Sequence, residues 1–140
     1  MSNQSSTDRG DEFIATHGAD FVRADSLVEQ GKHEEAVAIF IALLAMPSNA
    51  YVKAVMWMNI ATIRDKMGQA DEVLRAFDEA GVLEHSYGGY LAQEHKAYYL
   101  AKIGRVKESL VILEMLLRRT DLKQEDRVRV ETNVKTLRSR

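Results

Sequence analysis

Apolar side chains recur at one phase behind three glycines, in the stretches Gly31 to Phe40, Gly68 to Phe77 and Gly104 to Leu113. The glycines stand 37 and 36 residues apart. Each is followed by an acid at the fourth position (Glu35, Glu72, Glu108) and by apolar groups at the sixth (Val37, Leu74, Leu110) and ninth (Phe40, Phe77, Leu113). Apolar groups three residues apart share one face of an α-helix, so each stretch reads as a turn that opens an amphipathic helix. Seven positions before each glycine stands an alanine (Ala24, Ala61, Ala97), whose methyl lets two helices approach closely where leucine would hold them apart.

The same periodicity predicts helices over 12–30, 33–46, 50–67, 70–81, 90–103, 106–119 and 124–138. Gly31, Gly68 and Gly104 end the first, third and fifth of these, because a glycine past the last turn adopts the left-handed conformation at no side-chain cost. Pro47, Ser48 and Asn49 end the second and offer a cap to the third, and Gly81 is expected to break the fourth. The helix over 33–46 carries Ala36, Val37, Ile39, Phe40, Leu43 and Leu44, an apolar surface wider than one stripe, and is expected to be sandwiched between neighbours. Residues 1–11 contain no bulky apolar group beyond Met1 and are expected to be disordered. Val82 to Glu84 read either as an extension of the fourth helix or as the start of a connection that continues through His85 to Gly89, and the helix over 124–138, which lacks the glycine motif, reads as a cap on the last repeat.

These residues resemble the tetratricopeptide repeat, whose signature places W-x2-L-G-x2-Y, then A-x3-F, then P, in a unit of 34 residues. The second unit carries Trp57-x2-Ile60-Ala61 and Val73-x3-Phe77, the first carries Ala36-x3-Phe40 with Pro47 nearby, and the third keeps Ala97 and Leu113. Asp20, Arg64 and Gln93 stand where that family has large aromatic residues. The resemblance implies an all-α, right-handed helical-hairpin solenoid over 12–138: three TPR-like repeats at about 17–49, 54–87 and 90–120, and a capping helix at about 124–138. It further implies a protein or peptide held in a concave groove lined by the first helix of each pair. On this chain that groove maps to Phe21, Asp25 and Val28, then Val55, Met58, Asn59, Thr62 and Lys66, then Leu91, Glu94, His95, Tyr98 and Lys102. One branch of the family grips a terminal carboxylate with lysine, asparagine and arginine; here only Asn59 agrees, and Asp25 would repel the ligand, so no such clamp is expected.

Composition narrows the function classes. Without cysteine there is no disulfide framework and no thiolate zinc site. The longest apolar run, Ala36 to Met46, is far short of the roughly 20 residues that span a bilayer, and the N-terminus has no signal-peptide core, so a cytoplasmic protein with no membrane contact is expected. His17, His33, His85 and His95 show no ligand spacing, and the acid pairs Glu34-Glu35 and Asp78-Glu79 read as solvated helix faces. Ser86 to Tyr90 is glycine-bearing and precedes a helix, but it follows no strand and lacks the lysine of a phosphate loop. No catalytic, cofactor or metal site is therefore expected. The net charge of −2 conceals an acidic body and a basic tail, with eight Lys/Arg against four Asp/Glu over 118–140. That tail suits a nucleic acid less well than a solvated cap, since it lacks interleaved aromatics. The primary reading is a non-catalytic scaffold or adaptor that binds a protein segment. The alternative is a self-associating assembly protein, drawn together by its oppositely charged ends.

Overall fold

The computed structural model describes residues 6–140, with side chains from residue 11 onward. Among the described residues there are eight α-helices, one short 3-10 turn and no strand. The helices are α1 (Ser6–Thr16), α2 (Gly18–Glu29), α3 (His33–Leu44), α4 (Ala50–Lys66), α5 (Ala70–Glu84), α6 (Leu91–Lys102), α7 (Val106–Leu117) and α8 (Gln124–Arg138). They fall into two compact units, 1–89 and 90–140. Of the tail expected at 1–11, residues 1–5 lie outside the described residues and residues 6–11 belong to α1.

The turn glycines do what their positions require. Gly31, Gly68 and Gly104 have φ of 77°, 71° and 89°. Each turn closes in the same way: the amide after the glycine donates to a carbonyl five residues back (Lys32 to Leu27, Gln69 to Arg64, Arg105 to Leu100). The glycine amide itself donates three residues back (Gly31 to Val28, Gly68 to Asp65, Gly104 to Ala101). This pair of bonds is the Schellman arrangement, which satisfies carbonyls that a helix end otherwise leaves open. Asn49 caps α4 as expected, its Oδ1 accepting from the Val52 amide at 2.9 Å.

Three expectations are corrected. The helix expected over 12–30 is broken at His17, whose φ of −109° and ψ of 19° separate α1 from α2. Gly18, a poor helix former, follows the break, and the His17 ring lies on Phe13 with centroids 4.4 Å apart. Gly81 does not end α5: it is buried in the helix next to the fully buried Ala80, and the helix runs on to Glu84 and a 3-10 turn at His85–Tyr87. Nor is α3 sandwiched all round, since Ala38, Ile41, Ala42 and Ala45 form a solvent-facing apolar strip, with Ile41 at 52% exposure.

In unit 1, α2 pairs with α3 and α4 with α5, while α3 bridges to α4 and α1 lies against α4. Ala24 and Ala61 are completely buried, as close helix approach demands. Arg64, at a signature tyrosine position, ties the end of α4 to the start of α3 by donating to Glu34 Oε1 at 2.6 Å, and it donates to Gln69 Oε1 in the turn before α5 at 2.9 Å. In unit 2, Ala97, Leu113, Leu116, Val130, Val134 and Leu137 form one core, so α8 supplies half of the buried side chains on which α6 and α7 rest. Each such leucine contributes roughly 1.5–3 kcal/mol on burial.

Candidate partner-binding surfaces

The positions assigned to a groove divide between the two units. In unit 1, Asp25 on α2 and Thr62 and Lys66 on α4 are exposed, while Val28, Val55, Met58 and Asn59 are half-buried. Two of the polar groups are already engaged by their own helix: Asn59 Nδ2 donates to the Val55 carbonyl at 3.0 Å, and Thr62 Oγ1 to the Met58 carbonyl at 3.1 Å. Phe21 is drawn into the hairpin, its ring 5.8 Å from that of Phe40. Packing of α1 against α4 adds an element that the amphipathic pattern did not disclose. Where α1 ends, Glu12, Phe13, Thr16 and His17 face Pro47, Ser48 and Asn49 across a cleft of about 430 Å³.

Unit 2 is organised by a polar network. Leu91, His95 and Lys102 are exposed on α6, but Glu94 is 1% exposed and Tyr98 half-buried. Arg129 on α8 donates to Glu94 through Nε and Nη2, at 2.7 and 2.8 Å. Tyr98 Oη donates to Glu94 at 2.5 Å and accepts from Asn133 Nδ2 at 2.9 Å. Asp126 accepts from the Tyr90 hydroxyl and lies 2.8 Å from Arg129. Burial alone would raise the Glu94 carboxyl, yet the bonds from Arg129 and Tyr98 outweigh it and hold the group below its ordinary value. The Tyr90 bond, with Arg129 behind it, lowers Asp126. Burial and the neighbouring Glu94 raise Tyr98.

Sequence reasoning missed Arg129, Asp126 and Asn133 as partners of α6, because it read α8 as a cap with basic residues around its apolar face. The one local signal was the three-residue spacing of Asp126 and Arg129, which suits an ion pair on a helix. Much of the basic tail is used internally. Arg119 pairs with Asp121, Arg138 with Glu114, and Arg127 donates to the carbonyls of Leu117, the last residue of α7, and Arg119, two residues on. Those carbonyls carry the negative end of the helix dipole, so a guanidinium there is well placed.

The glycine-bearing connection is filled by its own side chains. Ser86 Oγ donates to the Leu83 carbonyl at 2.9 Å, and a Cβ on Gly89 would lie 2.6 Å from the Tyr87 ring. Tyr87 packs edge-on against Tyr51, and burial, then Glu84 and Tyr51, push its hydroxyl up to about 12. Among the described residues no three His, Asp or Glu side chains gather as a metal site requires. Among the same residues no helix is long and apolar enough to cross a membrane.

No protein-family model matches the chain, and no curated protein does. The solved structure of the Yersinia enterocolitica type III secretion translocator chaperone SycD is similar, with a TM-score of 0.61 and 20% identity, over 89% of this chain and 85% of that one. At that identity the likeness establishes fold alone. The chain has an all-α fold of TPR-like helical hairpins.

Proposed function

We propose that this chain is a cytoplasmic, non-catalytic protein-binding module, a chaperone or adaptor that holds a segment of a partner protein against the first helices of its hairpins. The observation that carries this reading is the likeness to a translocator chaperone over most of both chains. Supporting it, a preformed stack of helices binds without a large ordering cost on the receptor side. Asp25, Thr62 and Lys66 are exposed on α2 and α4 of unit 1, and Leu91 on α6 of unit 2.

The test compares the chain with a Met58→Asp, Thr62→Arg variant as bait in lysate of the source cell, with captured proteins identified by mass spectrometry. Loss of a partner at unchanged helicity is the expected result. Retention of every partner overturns the assignment of α4.

A second reading, self-association, rests on charge. Unit 1 carries seven Lys/Arg against fourteen Asp/Glu, a net of −7, and unit 2 carries twelve against seven, a net of +5. Unit 1 of one copy, with the apolar strip of α3, is complementary to unit 2 of another. Sedimentation velocity from about 0.05 M to about 0.5 M salt decides it, because screening shortens the reach of these charges severalfold. A monomer at the low end excludes it.

A further inference from the structure

Resting on the self-association reading, we infer that the outward face of α3 in one copy docks on the outward face of α7 in a second copy. The two faces are the same place in the repeat. Seven, ten and eleven residues after the turn glycine, α3 carries Ala38, Ile41 and Ala42, α5 carries Arg75, Asp78 and Glu79, and α7 carries Val111, Glu114 and Met115. Residues at these spacings share one face of a helix. All are exposed except Glu114, which is half-buried. The middle helix therefore shows water three charged groups, as a solvated face should. At the same positions α3 shows only apolar groups, with Ile41 at 52% exposure, and α7 shows Val111 at 58% and Met115 at 56%. Apolar groups gathered where the fold elsewhere carries charge mark a surface that a partner covers.

Charge names the partner. On α7 the acids of this face are used within the unit: Glu108 pairs with Arg105 at 2.6 Å and Glu114 with Arg138 at 2.5 Å. Lys107 and Arg118, exposed one turn before Val111 and one turn after Met115, take part in no ion pair among the described residues. The exposed Glu35 stands one turn before Ala38, and α3 contains no Lys or Arg. An apolar strip headed by an acid thus has its complement in an apolar pair bracketed by cations. Setting α3 against α3 would bring together two units of net −7, and α7 against α7 two of net +5, so the charges favour α3 against α7. Shape agrees: the alanines of α3 let a second helix come close, and the flexible Met115 with Val111 supplies the bulk that fills the space.

The test uses two variants of the full chain, each altered on one exposed face with a good helix former: Ile41→Gln with Ala42→Gln, and Val111→Gln with Met115→Gln. Sedimentation equilibrium at about 0.05 M salt should find neither associating with itself, while an equimolar mixture, in which intact α3 meets intact α7, binds at least about tenfold more tightly than either alone. Lys107→Glu with Arg118→Glu should weaken association of the otherwise unaltered chain at least about fivefold at that salt, and Lys107→Arg should not. Association that persists in both glutamine variants overturns the α3–α7 contact and leaves self-association standing. Loss in one variant alone, which means that like faces meet, overturns the contact as well. So does a mixture no tighter than its parts, or a Lys107→Glu, Arg118→Glu variant that associates as before. An unaltered chain that is monomeric at low salt removes the contact and the self-association reading together.

Discussion

Arg129 on α8 presents two guanidinium nitrogens to the buried carboxylate of Glu94 on α6, at 2.7 and 2.8 Å, a bidentate pair with one partner in the interior and the other at the surface. The arginine side chain is 45% exposed and the glutamate 2%, so deleting each has a different consequence. Arg129→Met leaves a carboxylate buried with only Tyr98 to serve it and should cost about 2–3 kcal/mol. Glu94→Gln leaves Arg129 its Asp126 partner and access to water and should cost about 1–2 kcal/mol. Urea unfolding of both variants measures the asymmetry; equal losses would contradict it.

The same pair makes stability depend on acid. Glu94 and Asp126 titrate lower in the folded chain than their ordinary values of 4.5 and 3.8. Their contribution is therefore complete above those values and lost as pH falls through the lower folded ones. Melting temperature should fall as pH drops below about 4.5, and Glu94→Gln should flatten part of that slope.

Base acts through Tyr87. Its hydroxyl is raised from 10.0 to about 12, so the contribution it makes is full below pH 10 and is lost as pH climbs toward 12. Phenolate absorbance should lose its component near 12 in Tyr87→Phe, while Tyr90 and Tyr98, whose hydroxyls are also raised, go on titrating late. A single transition near 10 for all five tyrosines would refute the burial of that hydroxyl.

Ser109 sits fully buried on α7 with its Oγ unpaired among the described residues, at the position where the first repeat has Ala36. An unsatisfied buried hydroxyl costs free energy that a methyl does not. Ser109→Ala should stabilise the chain by about 1 kcal/mol, read as a rise in melting temperature of a few degrees.

At Gly68 a Cβ would meet nothing within 4 Å, so a substitution there is opposed by the φ of 71° alone. Gly68→Ala should cost about 1–2 kcal/mol and Gly68→Asn less, since asparagine tolerates the left-handed region. Identical melting temperatures for the three proteins would remove the conformational account of the turn.

How much of this was legible beforehand differs by element. The three turns, the Asn49 cap and the extent of α8 follow from local chemistry, because the information for a cap lies within a few residues of it. The exposed strip on α3 and the burial of Gly81 were misread, because an apolar surface in sequence does not say which of its sides a neighbour covers. Of the positions assigned to the groove, Asp25, Thr62, Lys66, Leu91 and His95 are exposed, whereas Phe21 and Glu94 turn inward, because which face of a helix a neighbour covers is settled by partners distant in sequence.

By itself the chain's order of residues determined an all-helical repeat of hairpins, since glycine phase, alanine spacing and apolar period all act over one or two turns. Only tertiary structure decided that α1 folds onto α4 and that Glu94, Tyr98, Arg129 and Asn133 form one network. Those partners are 35 residues apart across the gap between α6 and α8, and an ion pair over that separation exists only once two helices have been brought side by side.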